Sequence, residues 1–213
     1  MFLKIFPDGF GSDFYKFDER AYKDDAADFM ERALSQEHID ELIASDNCGE
    51  VAALALRALN NLVDRRYEKP ALSGALKSEG VALPFAIGLR ELLYGDFESA
   101  LERMTALLRP CNAAKWPILT FWPFFRFPER HMFLKPTIVQ TCAERMGYEL
   151  HYEPLPNRET YRSLLGFTEF LRNGIATLEP KDNIDLQTFM YVVGKDGYFR
   201  DAISARERWQ AGR

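Results

Sequence analysis

A mainly α-helical protein, folded as a single compact multi-helix domain over residues 1–213, is predicted by three features of the chain. Apolar side chains recur every three or four residues over most of its length, the spacing that puts them on one face of a helix. Residues that start helices (Ser, Asp, Asn, Pro) and residues that stop them (Gly, Pro) stand at the ends of those runs. Alternation of the strand kind occurs only at Tyr148–Glu153, so at most one short extended segment is expected, and one strand makes no sheet.

Taken in order, residues 1–17 read as an irregular arm whose Phe side chains pack onto the body. Phe29, Met30 and Ala33 share a helix face, and Ser35 caps a short helix carrying Ile39, Leu42 and Ile43. Asn47 with Glu50 has the spacing of a capping box ahead of Val51, Leu54, Ala55, Ala58, Leu59, Leu62 and Val63, predicting a core helix over about 48–66. A loop holding Pro70 and Gly74 follows. Pro84 sits in the first turn of a helix that buries Phe85, Leu89, Leu92 and Leu93 and stops near Gly95. Asp96 caps the next, which Pro110 ends. Pro136 starts a helix with Ile138, Val139, Cys142 and Met146, closed by Gly147. Asn157 opens the longest helix, lined by Tyr161, Leu164, Leu165, Thr168, Leu171, Ile175 and Leu178 and stopped by Pro180. Asp182 caps a final core helix ending at Gly194, and the polar tail 195–213 has the weakest pattern. No repeat, heptad run or Ser/Gly-rich linker divides the chain.

With 47% hydrophobic and 28% charged residues, the composition is that of a folded globular chain. Cys48, Cys111 and Cys142 are odd in number and widely spaced, which fits reduced thiols and neither a disulfide framework nor a zinc ribbon. No signal-peptide pattern opens the chain, and its longest apolar run, Trp116–Phe125, is too short to cross a bilayer. A cytoplasmic location without membrane contact is the expectation. The net charge of −5 argues against a protein that coats nucleic acid, but the charge is uneven. Residues 1–108 hold 12 basic and 20 acidic side chains, whereas residues 109–136 hold five and one.

That basic island coincides with the most aromatic stretch, Lys115–Pro136 (KWPILTFWPFFRFPERHMFLKP), whose four prolines are expected to stop any long helix. If Pro136 begins a helix, the free amides at Thr137 and Ile138 face outward at its positive end, with Arg130, His131 and Lys135 just before it. Converging there, Arg130, His131, Lys135 and Thr137 would form a site for phosphate or carboxylate. The plainer alternative pairs the bases with acids of the amino-terminal half and buries His131. Bases interleaved with rings also suit single-stranded nucleic acid, although seven aromatics around proline turns more often anchor a core.

Asp182 and Asp185 fit an N-cap and an N3 position better than a metal or acid–base pair. Cys142 lies on an apolar helix face as an inert thiol, and the three histidines are too scattered for a metal cluster. No G-x-S-x-G, H-E-x-x-H, G-x-x-x-x-G-K-[ST] or G-x-G-x-x-G pattern is present, so no catalytic residue, metal or cofactor is assigned.

The run PERHMFLKPTIVQTCAERMGYELHYEPLPNRETYRSLL, followed by LEPKDNIDLQTFMYVVG, resembles a conserved bacterial family with the signature dPxRHxFLKPxxxxxAAxxxGxxxxYxxxPNWxTYxxLL…LxPRDMIDIQSFIWV. Weaker likeness in NNLVDRRYEKPAL and FAIGLRELLYG extends it to about residues 58–195. The resemblance carries no activity, substrate or cofactor. It implies attention to Arg130, His131, Lys135, Pro136, Asn157, Tyr161, Asp182, Asp185 and Gln187, which stand at signature positions. Arg158, Lys181, Asn183, Met190 and Tyr191 depart from it, replacing Trp, Arg, Met, Ile and Trp.

The leading expectation is therefore a non-catalytic binding protein whose partner is an anionic small molecule or nucleic acid, held at 130–137. One alternative is an enzyme whose composite site gathers His131, Asp182 and Asp185. Another is a scaffold subunit using the aromatic segment as its interface, with self-association left open.

Overall fold

The structure, a computed structural model, describes residues 1–212. Eleven helices of nine residues or more make up most of it, and no strand occurs among the described residues. They are α1 (Ala21–Ala33), α2 (Gln36–Ala44), α3 (Cys48–Ala58), α4 (Glu68–Leu76), α5 (Ala82–Tyr94), α6 (Phe97–Leu108), α7 (Trp116–Arg126), α8 (Pro136–Met146), α9 (Arg158–Gly174), α10 (Asn183–Gly194) and α11 (Tyr198–Ala211). Residues 148–153 carry no regular structure. The mainly helical class is thus what the chain adopts.

Cap chemistry sets several boundaries where the sequence places them. Side chains of Ser35, Asp96, Asn157 and Asp182 accept amides at the starts of α2, α6, α9 and α10. Gly147 closes α8 in the left-handed conformation at φ 71°. At the start of α3, Asn47 makes no side-chain cap bond, so the capping box predicted there does not form. That helix also stops at Ala58 rather than Arg66. Leu62 and Val63 are buried all the same, in the connection that follows: burial at helical spacing identified core residues but not the secondary structure holding them. Helix α4 runs through Pro70, in the first turn where a missing amide costs no hydrogen bond, and through Gly74. The longest helix ends at Gly174 and is followed by a 3-10 turn at Ala176–Leu178.

The prolines of the aromatic stretch do not prevent a helix. Pro117 falls in the first turn of α7 and Pro123 lies inside it, yet Trp116 to Phe125 are all buried. A mid-helix proline costs about 3 kcal/mol, and burying several large aromatic side chains at roughly 1.5–3 kcal/mol each outweighs it. Trp122 donates its indole N–H to the Ala55 carbonyl at 3.0 Å and meets Phe85 edge-on. Six of the seven rings of the stretch lie in the core, and Phe127 is partly exposed.

The amino-terminal arm is also ordered by rings. Short helical turns at Phe2–Ile5, Gly9–Gly11 and Asp13–Tyr15 bury Phe2, Phe6, Phe10 and Phe14. Phe2 reaches Phe189 of α10, and Phe14 reaches Trp209 of α11. A π-helical turn at Lys16–Arg20 joins the arm to α1; such wide turns are found preferentially at functional sites. Helix α10 packs closely on α8. At Gly194 a Cβ would stand 2.2 Å from the Ile138 carbonyl oxygen, so only glycine permits this approach.

Candidate functional site

Helix α8 begins at Pro136 as the sequence predicts, but the three bases before it do not converge. Arg130 lies in solvent over the Phe127 ring, with the guanidinium carbon 4.2 Å from the centroid, and pairs only with Glu129 at 3.4 Å. His131 turns inward, its ring 4.7 Å from that of Phe97 and its Nδ1 3.2 Å from the Tyr161 hydroxyl. Burial, together with the charge of Arg130, brings its pKa down to about 4. Lys135 swings the other way and donates from Nζ to the Leu62 carbonyl at 2.8 Å. The geometry of a single cationic pocket is corrected accordingly: the short 131–135 segment buries Met132, Phe133 and Leu134, which sends the flanking polar residues to different partners. The predicted pairing with amino-terminal acids does not occur either. Arg126 hydrogen-bonds Tyr94 and Lys115 bonds Asn112.

The other predicted residues have mostly structural work. Asn157 caps α9, accepting the Thr160 amide at 2.8 Å. Tyr161 is buried and takes the Met132 amide at 3.1 Å. Asp182 accepts the amides of Ile184 and Asp185, and Asp185 accepts that of Lys181 at 2.8 Å. The cap reading of the two aspartates therefore holds, with an addition: both also grip Arg20. Its guanidinium meets Asp182 and Asp185 at 2.7 Å each, and Tyr15 donates to Asp185. Burial opposes the Arg20 charge, but the hydrogen bonds it donates to Asp182 and Asp24 and the charges of Asp182 and Asp185 raise its pKa overall. His131 joins this end of α10 through its backbone, its carbonyl accepting from Asn183 Nδ2 at 2.9 Å. Its imidazole contacts neither aspartate, so the composite His131–Asp182–Asp185 site is not assembled. Cys142 is buried, which raises its pKa to about 12, as expected of an inert thiol.

One turn along α10 the picture changes. Lys23 is 1% exposed, and its Nζ donates to Thr188 Oγ1 at 2.7 Å and to Glu19 Oε2 at 3.1 Å. Thr188 spends its own proton on the Ile184 carbonyl, which leaves its oxygen free to accept from the lysine. Glu19 is in turn held by the Tyr198 hydroxyl. Beside this group, Gln187 is 3% exposed and its Oε1 has no hydrogen-bond partner. Lys23, Glu19 and Gln187 line a cavity of about 230 Å³ with Asp18, Lys135, Tyr191, Lys195 and Tyr198. Lys195 donates to the Tyr191 hydroxyl at 3.0 Å. A second hollow of about 410 Å³ shares Lys135, Tyr191 and Lys195 and extends over Pro136 and Thr137 to the start of α8. Of the predicted anion-site residues, Lys135 and Thr137 border this cleft and Arg130 and His131 do not; Gln187, a signature position, borders it too.

A larger cavity, about 620 Å³, lies on the other side of the Arg20 cluster. Its best-shielded cation, Arg20, is committed to three carboxylates, and Asp8, Asp24 and Glu179 line it along with the exposed Lys16 and Lys181. It offers an anion little.

Lys23, Glu19 and Lys195 escaped the sequence reading. A charged pair four residues apart near a helix start is ordinarily a solvated face, and only the π turn and the packing of α10 turn Glu19 and Lys23 inward. The buried charge on an otherwise apolar body had no local signal; the acidic excess of the amino-terminal half was its one trace. Among the described residues no group of three His, Cys, Asp or Glu side chains is placed to hold a metal, and no helix is long and apolar enough to cross a membrane. Comparison with protein-family models, with curated proteins and with solved structures found no match to this chain.

Proposed function

We propose that the protein binds a small anionic ligand in the cleft between α1, α10 and the start of α8. Gln187 carries this reading. A buried amide oxygen left without a partner costs about 1–3 kcal/mol, and its residue lines a cavity where Lys23, Lys135 and Lys195 outnumber Asp18 and Glu19. A ligand with a hydroxyl donor and a negative charge meets both needs, the donor at Gln187 Oε1 and the charge at Lys135 and Lys195. Thr137 and the start of α8 border the adjoining hollow, where Lys135 and Lys195 face Asp64 and Glu68, so the positive character is confined to the side shared with the first cavity. Lys135 and Lys195 are partly or fully exposed at the mouth, where two charges raise the local anion concentration without a large desolvation cost.

Isothermal titration with inorganic phosphate, lactate and pyruvate tests the proposal. Saturable binding of at least one of them, weakened about tenfold or more by Lys135→Glu with the helical circular dichroism unchanged, is the expected result. Absence of binding by all three, or binding indifferent to Lys135→Glu, would refute it.

A further inference from the structure

We infer that Lys23 is an amine nucleophile at the floor of this cleft, and that it forms a Schiff base with a small carbonyl compound bearing a carboxylate or phosphate. The inference rests on the binding reading above and names the ligand class for the same site.

Three observations on position and chemistry carry it. Lys23 lines the 230 Å³ cavity although it is 1% exposed, so its side chain stands between that space and the protein interior. Two of its three N–H positions are fixed, by Thr188 Oγ1 at 2.7 Å and Glu19 Oε2 at 3.1 Å, which orients the nitrogen and supplies a carboxylate within proton-transfer reach. Lys135 and Lys195 line the same cavity as charges for an anionic substituent. Burial lowers the pKa of the Lys23 amine, against the pull of Glu19, and this favours the neutral nucleophile. Burying a Glu–Lys pair costs desolvation that its attraction need not repay, and this pair stands at a cavity wall beside Gln187, whose Oε1 has no partner.

The step balances within the chain. Glu19 takes one proton from the Lys23 ammonium, and the neutral nitrogen attacks the carbonyl carbon. The carbonyl oxygen receives a proton released by the nitrogen to give a carbinolamine. Glu19 then returns its proton to that hydroxyl, the C–O bond breaks, and water leaves with both protons. The product is a protonated imine on Lys23, carrying the single positive charge that the ammonium began with. Gln187 lines the same cavity, and a small rotation of its amide gives the carbinolamine hydroxyl, or the departing water, an acceptor.

The test is reductive trapping. Full-length protein is incubated with sodium cyanoborohydride and either pyruvate or dihydroxyacetone phosphate, with acetone as the uncharged carbonyl, and the adduct is located by peptide mass mapping. The expected result is one adduct, at Lys23, with pyruvate or with dihydroxyacetone phosphate. The productive arm tells a carboxylate ligand from a phosphate one. Acetone should label Lys23 roughly tenfold more slowly, as should the better anion with Lys135→Ala protein. Because Lys23→Met leaves Glu19 buried without its cation, the blocking control is the Lys23→Met/Glu19→Gln double variant, checked for native circular dichroism. Adducts spread over exposed lysines with Lys23 unmodified would overturn the inference, as would equal labelling by acetone. Should phosphate or lactate bind in a Lys135-dependent way while no carbonyl labels Lys23, the Schiff-base step alone is wrong. Should neither bind and nothing label, both readings fall.

Discussion

The aromatic stretch at 115–136 and the polar group joining α1 to α10 are opposites in how they advertise themselves. The first concentrates rings, prolines and positive charge in 22 consecutive residues, yet its centre is solid core and its bases are scattered to separate partners. The second is assembled from residues 160 or more positions apart, and it holds the half-buried Arg20, the buried Lys23 and the unpartnered glutamine. The contrast has a physical origin. A dense run of large apolar side chains must be buried wherever it falls, and burial spends its backbone and its neighbours on packing. Charge that survives in an interior has to be paired from elsewhere in the chain, so the unusual chemistry forms where distant segments meet.

The deepest cut into this contrast is on the aromatic side. Trp122→Ala removes a fully buried indole and its bond to Ala55, and should cost about 4–5 kcal/mol of stability. Affinity for phosphate, measured well below the lowered melting temperature, should stay as in the parent protein. A loss of affinity beyond that of the unfolded fraction would show that the core and the cleft are not separate functions.

Next comes the polar side. Arg20→Leu strands Asp182 and Asp185 without their cation at the start of α10, a change expected to cost about 3–5 kcal/mol. Urea denaturation measures it, and adding Asp185→Asn should recover part of the loss. A cost under about 1 kcal/mol would reduce this cluster to the standing of a surface ion pair, like that between Arg162 and Glu98.

These two cuts mark how far the sequence can be read. Helix class, the caps at Ser35, Asp96, Asn157 and Asp182, and the start of α8 were legible because each depends on a side chain and amides within a few residues. The early end of α3 was not, because Leu62 and Val63 stay buried after the helix has stopped. Of the cleft, Lys135, Thr137 and Gln187 were singled out, but the reasons that place them there lie in Leu62, Lys23 and Lys195. Those are tertiary neighbours, and no local pattern specifies them.

His131 sharpens the comparison by pH. It belongs to the basic stretch yet is buried neutral, with its pKa brought down to about 4 from the ordinary 6.5. Between those values the unfolded chain binds more protons than the folded one, so stability is full above pH 6.5 and falls as the pH drops toward 4. The loss should be about 3 kcal/mol at most, and the slope of stability against pH should be shallower in His131→Gln across that window. Carboxylates titrate in both proteins and cancel in the difference. Equal slopes would mean that the imidazole is solvated and the pocket formed by Phe97 and Tyr161 is open.

The smallest expected change is the most direct test of the two-region contrast, because stability and binding should move in opposite directions. Gln187→Leu replaces a 3% exposed amide, whose Oε1 lacks a partner, with an apolar side chain of similar size. Removing an unsatisfied buried acceptor should raise stability by about 1 kcal/mol, whereas a comparable polar-to-apolar change in a site with no binding role would leave ligand affinity alone. If the cleft retains this amide for a ligand, the stabilised variant should bind phosphate or lactate about tenfold more weakly, and saturating ligand should raise its melting temperature less than it raises that of the parent. A Gln187→Leu protein that is more stable and binds equally well would identify Gln187 as a tolerated packing defect. One that is less stable would show that the amide is already satisfied, most simply by water, and would remove the observation on which the binding site rests.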